Sequence, residues 1–351
     1  MRVFADKIAS VTRNLKLDRQ LTLTREVRPE HGAVIAGRVL RDKSTYNQLE
    51  DCFGRMNIVH AGDVVVGALG HRNALHGYEG VLPKSVQAGQ MLHLLNLGGV
   101  IGECVSANPD VGKPFELEVL GQVLTFPDIG SRAGVPANVN MGAIAATGVL
   151  PKVPVIYVMG TCMNAGKTAA ACVLVRRLRQ EGLRVGGVKL TGVSLMRDTL
   201  SMRDYGAVTS CDFTDAGVVC TAPGAGVVAT ARTIFSAIGG RGVDVIVAET
   251  GDGIMGEYGV QDILASPDLR GLGTVFLFCA NDPVGVVGGV THLKSEYGIQ
   301  VDLVTGPATD NQVGCRFVER AVGVPAHNAR TGPDEVGNLV LKLLGERRVA
   351  A

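Results

Sequence analysis

Val153-Pro-Val-Ile-Tyr-Val-Met-Gly-Thr-Cys-Met-Asn-Ala-Gly-Lys-Thr168 is the stretch on which the reading of this chain turns. An apolar, β-prone run (153–159) leads into a Gly-bounded bend, and residues 166–180 then show helical periodicity. The Walker A pattern is Gly, four residues, then Gly-Lys-Ser/Thr; here five residues separate Gly160 from Gly166-Lys167-Thr168. Such a loop turns successive backbone N–H groups inward around a polyphosphate, and the helix behind it adds its positive end. The expected nucleotide-binding set is Gly160, Thr161, Asn164, Ala165, Gly166, Lys167, Thr168 and Ala169. In it Lys167 reaches the β/γ oxygens and the Thr168 hydroxyl ligates Mg²⁺. A chance Gly-Lys-Thr at a helix start is the competing account, but the strand before it, the helix after it and the Gly at the bend argue against that.

Outward from the loop, strand-like runs alternate with helical ones. Strands are expected at 153–159, 185–190, 243–248 and 274–279, with weaker signals at 301–304 and 325–326. Helices are expected near 224–238, 285–297, 309–321 and 332–345. The apolar runs lack alternation, as strands covered on both faces do. The fold class is therefore α/β: a P-loop domain with a mostly parallel sheet flanked by helices over 153–351. Residues 31–125 read differently, with short β-like runs at 33–40, 63–69, 90–97, 100–105 and 115–124 between Gly, Asn and Pro. They imply a smaller, mostly antiparallel β domain over 1–130, with a partly closed barrel among the forms it allows. Pro127, Pro136, Pro151 and Pro154 mark the region between, and 131–152 is the expected linker.

Composition excludes several classes. With 46% hydrophobic and 19% charged residues the chain can bury a core and is no candidate for disorder. A net charge of +1 offers no general attraction to nucleic acid or an anionic membrane, and 4% aromatics argue against a base-stacking platform. No run approaches the roughly 18 apolar residues needed to span a bilayer, and the first residues lack a signal-peptide pattern. The eight cysteines form no Cys-x-x-Cys pair, which points to reduced thiols and a cytoplasmic setting.

Carboxylates gather where strands end. Glu249 and Asp252 follow the apolar run 244–248, where a carboxylate either holds Mg²⁺ or its water shell or caps the next helix. Gly251, Gly253 and Gly256 around them imply a close backbone approach lining a substrate site. Asp212, Thr214 and Asp215 read either as a polar turn or as a second carboxylate site for a cation or an amine-bearing substrate. Arg197, Asp198 and Arg203 surround Asp204, where an Arg could grip a carboxylate or phosphate with two bonds; a solvated helix face is the plainer account. Gly70-His-Arg-Asn-Ala-Leu-His-Gly-Tyr-Glu-Gly80 collects His71, Arg72, His76, Tyr78 and Glu79 on one Gly-flanked loop. The spacing of its two histidines matches no standard metal motif, so it reads as a polar connection or as a substrate-selecting loop, with His71 and Arg72 the candidates. No Ser–His–Asp order or nucleophile elbow occurs, and no dinucleotide Gly-x-Gly-x-x-Gly follows a strand.

The loop Gly160-Thr-Cys-Met-Asn-Ala-Gly-Lys-Thr168 resembles that of dethiobiotin synthetases, which also begins Gly-Thr and ends Gly-Lys-Thr at the same length. Those enzymes place a Lys at the end of the next strand in a Lys-Pro-x-x-x-Gly setting, and Gly187-Val-Lys-Leu-Thr-Gly192 puts Lys189 there. Their metal-binding Asp has its counterpart in Ser201-Met-Arg-Asp204, and their Glu-Gly-Ala-Gly strand end in Val247-Ala-Glu-Thr-Gly-Asp-Gly253. The resemblance implies Lys167, Lys189 and Glu249 as catalytic residues and Thr168, Asp204 and Glu249 as metal ligands. It also implies Asn281 as the reader of the base, with Asn328 a second candidate. Leu190 replaces the family's Pro and Cys162 its loop Asp, and the N-terminal domain is additional. In loop and domain arrangement the chain looks closer to P-loop proteins that accompany dipeptide epimerases, some of them described as D-glutamate N-acetyltransferases. The resemblance covers about 153–345.

The expected function is ATP·Mg²⁺-dependent activation, by phosphorylation, of a small carboxylate-containing or amino-acid-like substrate, leading to ligation or amide formation. Acetyl-CoA-dependent N-acyl transfer to an amino acid and a nucleotide-hydrolysing regulatory switch are the alternatives. A homodimer is expected by analogy, and neither nucleic acid nor membrane is an expected partner.

Overall fold

The computed structural model describes residues 1–127, 130 and 133–349; residues 131 and 132, at the start of the expected linker, lie outside these. By contact the chain divides into two units. The first comprises Met1–Ile144 with Val193–Arg197 and Phe213–Ala225, the second Ala145–Gly192 with Asp198–Asp212 and Gly226–Ala351.

The first unit is built on β1 (Val34–Val39), β2 (Val64–Leu69), β3 (Met91–Leu94), β4 (Val100–Ala107) and β5 (Phe115–Thr125). β5 pairs antiparallel with β1, and β1 with β2. β2 then pairs parallel with β4, β4 antiparallel with β3, and β3 antiparallel with β5 again. The five strands thus close a ring, giving the mostly antiparallel β domain that the sequence implied a barrel form. Closure rests on Met91–Leu94, which uses both of its edges, against Phe115–Glu118 on one side and Ile101–Gly102 on the other. Ile35, Leu69, Leu92, Ile101 and Leu117 are fully buried in the core of this unit. Each such side chain contributes about 1.5–3 kcal/mol by leaving water. Two shorter strands, Arg72–Asn73 and Tyr78–Val81, continue the sheet beyond β4 as a hairpin. Val135–Pro136 pairs with the end of β5 and Val139–Gly142 forms a 3₁₀ turn, so this part of the stretch between the halves carries regular structure.

The second unit holds β6 (Val155–Gly160), β7 (Val185–Lys189), β8 (Thr209–Asp212), β9 (Val245–Glu249), β10 (Gly273–Cys279) and β11 (Leu303–Thr305). They form one parallel sheet in the order β8-β7-β9-β6-β10-β11. Its helices are α1 (Lys167–Gln180), α2 (Arg197–Asp204), α3 (Val227–Gly239), α4 (Val260–Ala265), α5 (Pro267–Gly271), α6 (Pro283–Tyr297), α7 (Gln312–Val322) and α8 (Pro333–Val349). Alternate residues of the central strands face opposite layers. Ile156, Val158, Val245 and Val247 meet Leu174 and Leu178 of α1 and Val336 and Val340 of α8. Tyr157 points the other way, onto Phe235 of α3 (6.1 Å between ring centroids), and its hydroxyl donates to Leu269 O of α5 at 2.7 Å. The expected strand at 325–326 is reduced to a single bridge between Val304 and Ala326, because Pro325 has no N–H to extend a ladder. No helix among the described residues is long and apolar enough to cross a membrane.

Candidate functional site

The order of the parallel sheet decides where a site can form. From β6 the chain passes over β9's position to β7 on one side, while β10 and β11 lie on the other. Such a reversal opens a crevice at the carboxyl ends of the strands. The loop after β6 sits at that crevice. The Thr161 N–H donates to Cys279 O at the end of β10, and the Ile254 N–H donates to Gly160 O, both at 2.9 Å. Gly166 caps α1 with φ 92°, a left-handed conformation that favours glycine, and Asn164 is also left-handed at φ 61°. Among the described residues, the N–H groups of Cys162, Met163, Asn164, Ala165 and Gly166 have no acceptor within the chain. With the positive end of the 14-residue helix α1 behind them, they line a concavity whose electrostatics suit an anion. Lys167 is buried and folds back over the loop, its Nζ donating to Cys162 O at 2.7 Å.

Behind the loop lies a compact charge cluster. The Thr168 hydroxyl is 3.1 Å from Glu249 Oε1 and 3.3 Å from Asp198 Oδ1. The second oxygen of Asp198 takes the Lys189 ammonium in a short ion pair. Asp212, Lys189 and Glu249 are direct cross-strand neighbours at the ends of β8, β7 and β9. Burial opposes the charge of Lys189, but Asp198, Glu249 and Asp212 outweigh it and hold its pKa above the ordinary value. Burial and the neighbouring Asp198 push the Glu249 carboxyl up to about 7, although Lys189 and Lys167 pull the other way. Burial also raises the pKa of Asp252, against the pull of Lys167. Asp252 is held at φ 69°, an uncommon conformation for a side-chain-bearing residue and one associated with functional turns.

Glu249 is 2% exposed, and its Oε2 is buried without a hydrogen-bond partner. A buried, unpartnered carboxylate oxygen beside a Thr hydroxyl and a second carboxylate is a donor set suited to Mg²⁺. Among the described residues no three His, Cys, Asp and Glu side chains are grouped to hold an ion on their own. A divalent ion here would draw its remaining oxygen ligands from phosphate and water.

The other expected site residues are distributed as follows. Asp204 stands at the far end of α2, lining a cavity with Arg176, Arg179, Gln180 and Tyr205, and it is Asp198, two turns earlier, that reaches Thr168. Arg203 donates to Val208 O at the foot of the same helix. Asn281 is exposed at the end of β10, with its amide 3.1 Å from the Cys162 sulfur of the loop. Both ends of the Asn328 amide are occupied: Nδ2 donates to Gly306 O and Asp310 Oδ1, and Oδ1 accepts from the Arg330 and Thr331 N–H groups. Ala165 is buried and Ala169 exposed on the first turn of α1. In the first unit, His71 Nδ1 accepts the Leu82 N–H and its ring stacks on His31 at 6.3 Å, while Arg72 is buried in the hairpin beyond β4. Asp198, which the sequence reading placed only beside Asp204, is the α2 carboxylate that meets both Thr168 and Lys189.

No family model matches the chain, and no curated protein does. Among solved structures it is similar to a LAO/AO transport system kinase, with 16% identity over 58% of this chain and 66% of that one and a TM-score of 0.38. It is also similar to the signal recognition particle 54 kDa protein from Aeropyrum pernix K1 in complex with GDP, with 14% identity, 57% and 51% coverage and a TM-score of 0.36. A third is the signal recognition particle receptor FtsY from Elizabethkingia anophelis, with 16% identity, 55% and 68% coverage and a TM-score of 0.35. The chain spans about two thirds of the first of these and about half of the second.

Proposed function

We propose that the second unit binds ATP with Mg²⁺ at the loop 160–168 and uses it to activate a small carboxylate-containing substrate. The observation that carries the reading is the convergence of Lys167, Thr168, Lys189, Asp198 and Glu249 behind a loop of unpartnered amides. When bound, ATP·Mg²⁺ supplies an electrophilic γ-phosphoryl group. Thr168, Asp198 and Glu249 would hold the ion, and Lys167, now bonded to Cys162 O, would neutralise phosphate charge. Lys189, already oriented by Asp198, holds the acceptor carboxylate. The carboxylate oxygen would take the γ-phosphoryl group with release of ADP, and an amine-bearing co-substrate would then displace inorganic phosphate from the acyl phosphate, giving an amide.

A thermal-shift titration with ATP·Mg²⁺, GTP·Mg²⁺ and acetyl-CoA tests this. A ligand at about 100 times its Kd adds roughly 2.7 kcal/mol of stability, so ATP·Mg²⁺ should raise the Tm, and Lys167→Ala should remove the rise. Lys189→Ala should keep the rise but lose carboxylate-dependent ADP release. A response to acetyl-CoA alone would replace activation by acyl transfer. Unchanged ADP release in Lys189→Ala would sink the assigned role of Lys189.

A further inference from the structure

The first unit buries a cation that no carboxylate among the described residues neutralises. Arg72 is 3% exposed, and among the described residues neither it nor the neighbouring Lys43 enters a salt bridge. Both bonds that Arg72 makes come from Nη1, one to the Tyr46 hydroxyl at 2.9 Å and a short one to Leu95 O. Its Nε is buried without a partner, and Nη2 donates to nothing among the described residues. Nε and Nη2 form the edge of a guanidinium that matches the two oxygens of a carboxylate in parallel bonds.

The surroundings hold that edge in place and leave it uncompensated. The Arg72 guanidinium carbon lies 5.6 Å from the Tyr46 ring centroid and 5.8 Å from that of Tyr78, and the two rings meet edge to face at 5.8 Å. Tyr46 sits at φ 51°, a left-handed conformation that a bulky residue keeps only where the surrounding structure fixes it. Lys43 lies over the same rings and donates to Tyr78 Oη, Val111 O and Lys113 O at 2.6, 2.6 and 2.7 Å, all neutral acceptors. Burial raises the Cys104 and Cys220 thiols and the Tyr78 phenol above their ordinary values, so none of them supplies an anion. Glu79, the nearest carboxylate along the chain, is exposed and accepts from Ser106 Oγ at 2.7 Å. Two clustered cations with no counter-charge are costly unless an anion joins them.

We infer that the Nε–Nη2 edge of Arg72 anchors a binding site for a small-molecule carboxylate within the first unit, under the turn between Asn73 and Tyr78. Gly77 belongs to the site, because a methyl there would lie 2.5 Å from Arg72 Nη2 and 3.0 Å from its guanidinium carbon. The inference is independent of the nucleotide reading and is tested without nucleotide.

The test titrates the full chain with acetate, succinate and inorganic phosphate at millimolar concentrations, following arginine Nε–H signals by ¹H–¹⁵N NMR. The Arg72 signal is identified by its loss in Arg72→Lys. A carboxylate should move that signal downfield with saturation, and Gly77→Ala, by displacing the fork, should weaken binding at least about tenfold. Should Arg72→Lys fail to fold, the only titrating Nε–H signal of the wild type and its response to Gly77→Ala still decide. Movement with phosphate but not with either carboxylate would overturn the carboxylate assignment, and an Nε–H spectrum unmoved by all three would overturn the site.

Discussion

Substitution of Gly253 by Ala probes whether the turn after β9 sets the shape of the phosphate loop. A methyl at Gly253 would lie 2.0 Å from Thr161 O, 2.7 Å from Thr161 C and 3.2 Å from Cys162 Cα. All three atoms are backbone, so no side chain can swing aside. An ordinary C···O approach is about 3.3 Å, and turn and loop must therefore separate by about 1.3 Å. Forcing that much into close packing costs about 1–3 kcal/mol of stability. If the nucleotide binds as proposed, the effect on ligand should be larger than on folding, because the displaced segment begins the loop of unpartnered amides. Each charge-assisted bond lost is worth about 1.5–3 kcal/mol, which is roughly a tenfold to hundredfold rise in Kd. Isothermal titration with ATP·Mg²⁺, paired with urea unfolding, measures both quantities. Gly271→Ala is the control, since nothing lies within 4 Å of a methyl at that position. A Gly253→Ala protein that loses stability yet binds ATP·Mg²⁺ as the wild type does would refute the placing of the nucleotide on this loop.

Two further substitutions test the site and its support. Glu249 has a folded-state pKa of about 7 against an ordinary 4.5, so the folded chain holds this proton more tightly than the unfolded one. Its contribution therefore makes stability fall as pH rises from about 4.5 to about 7 and level off above that, by about 3 kcal/mol at most. Glu249→Gln should flatten that segment of the urea-midpoint profile measured without metal, and an unaltered profile would show that another group titrates there. Tyr157→Phe removes a buried bond to Leu269 O and should cost about 1–3 kcal/mol of unfolding free energy with little change in nucleotide affinity. A loss below about 0.5 kcal/mol would show that Leu269 O finds another donor.

The parts of the fold legible in the sequence are those fixed by local chemistry. The loop after β6, the start of α1 and the acid at the end of β9 are each written in adjacent residues. Buried parallel strands such as Thr274–Cys279 announce themselves as unbroken apolar runs. Helix α2 was not legible, because Arg197-Asp-Thr-Leu-Ser-Met-Arg-Asp204 is short, polar and without a clear apolar stripe. With the helix unplaced, Asp198 and Asp204 could not be told apart by spacing, although only the first turn of the helix reaches Thr168. The four-residue β8 was missed for a similar reason, since Thr209-Ser-Cys-Asp212 lacks the length and apolarity of a buried strand. Ring closure in the first unit depends on pairing residues 91–94 with two partners at once, a tertiary fact with no local signal. The open Nε–Nη2 edge of Arg72 is equally invisible in sequence, since the loop 70–80 shows that an Arg is present but not what it lacks.

The division of the chain has a consequence for how it emerges from the ribosome. The first unit includes Phe213–Ala225, and Val219 of that segment is fully buried in its core. That segment is made only after β7, α2 and β8, so the order of synthesis and the order of completion differ. Translation proceeds at about 5–20 residues per second, and the roughly eighty residues between Ile144 and Ala225 take on the order of 4–16 s. During that interval the nascent ring lacks part of its packing, and the apolar surface destined for Val219 stays open to water. A chain cut after the ring strands would keep that surface exposed for good, which makes the N-terminal half alone a poor candidate for independent folding.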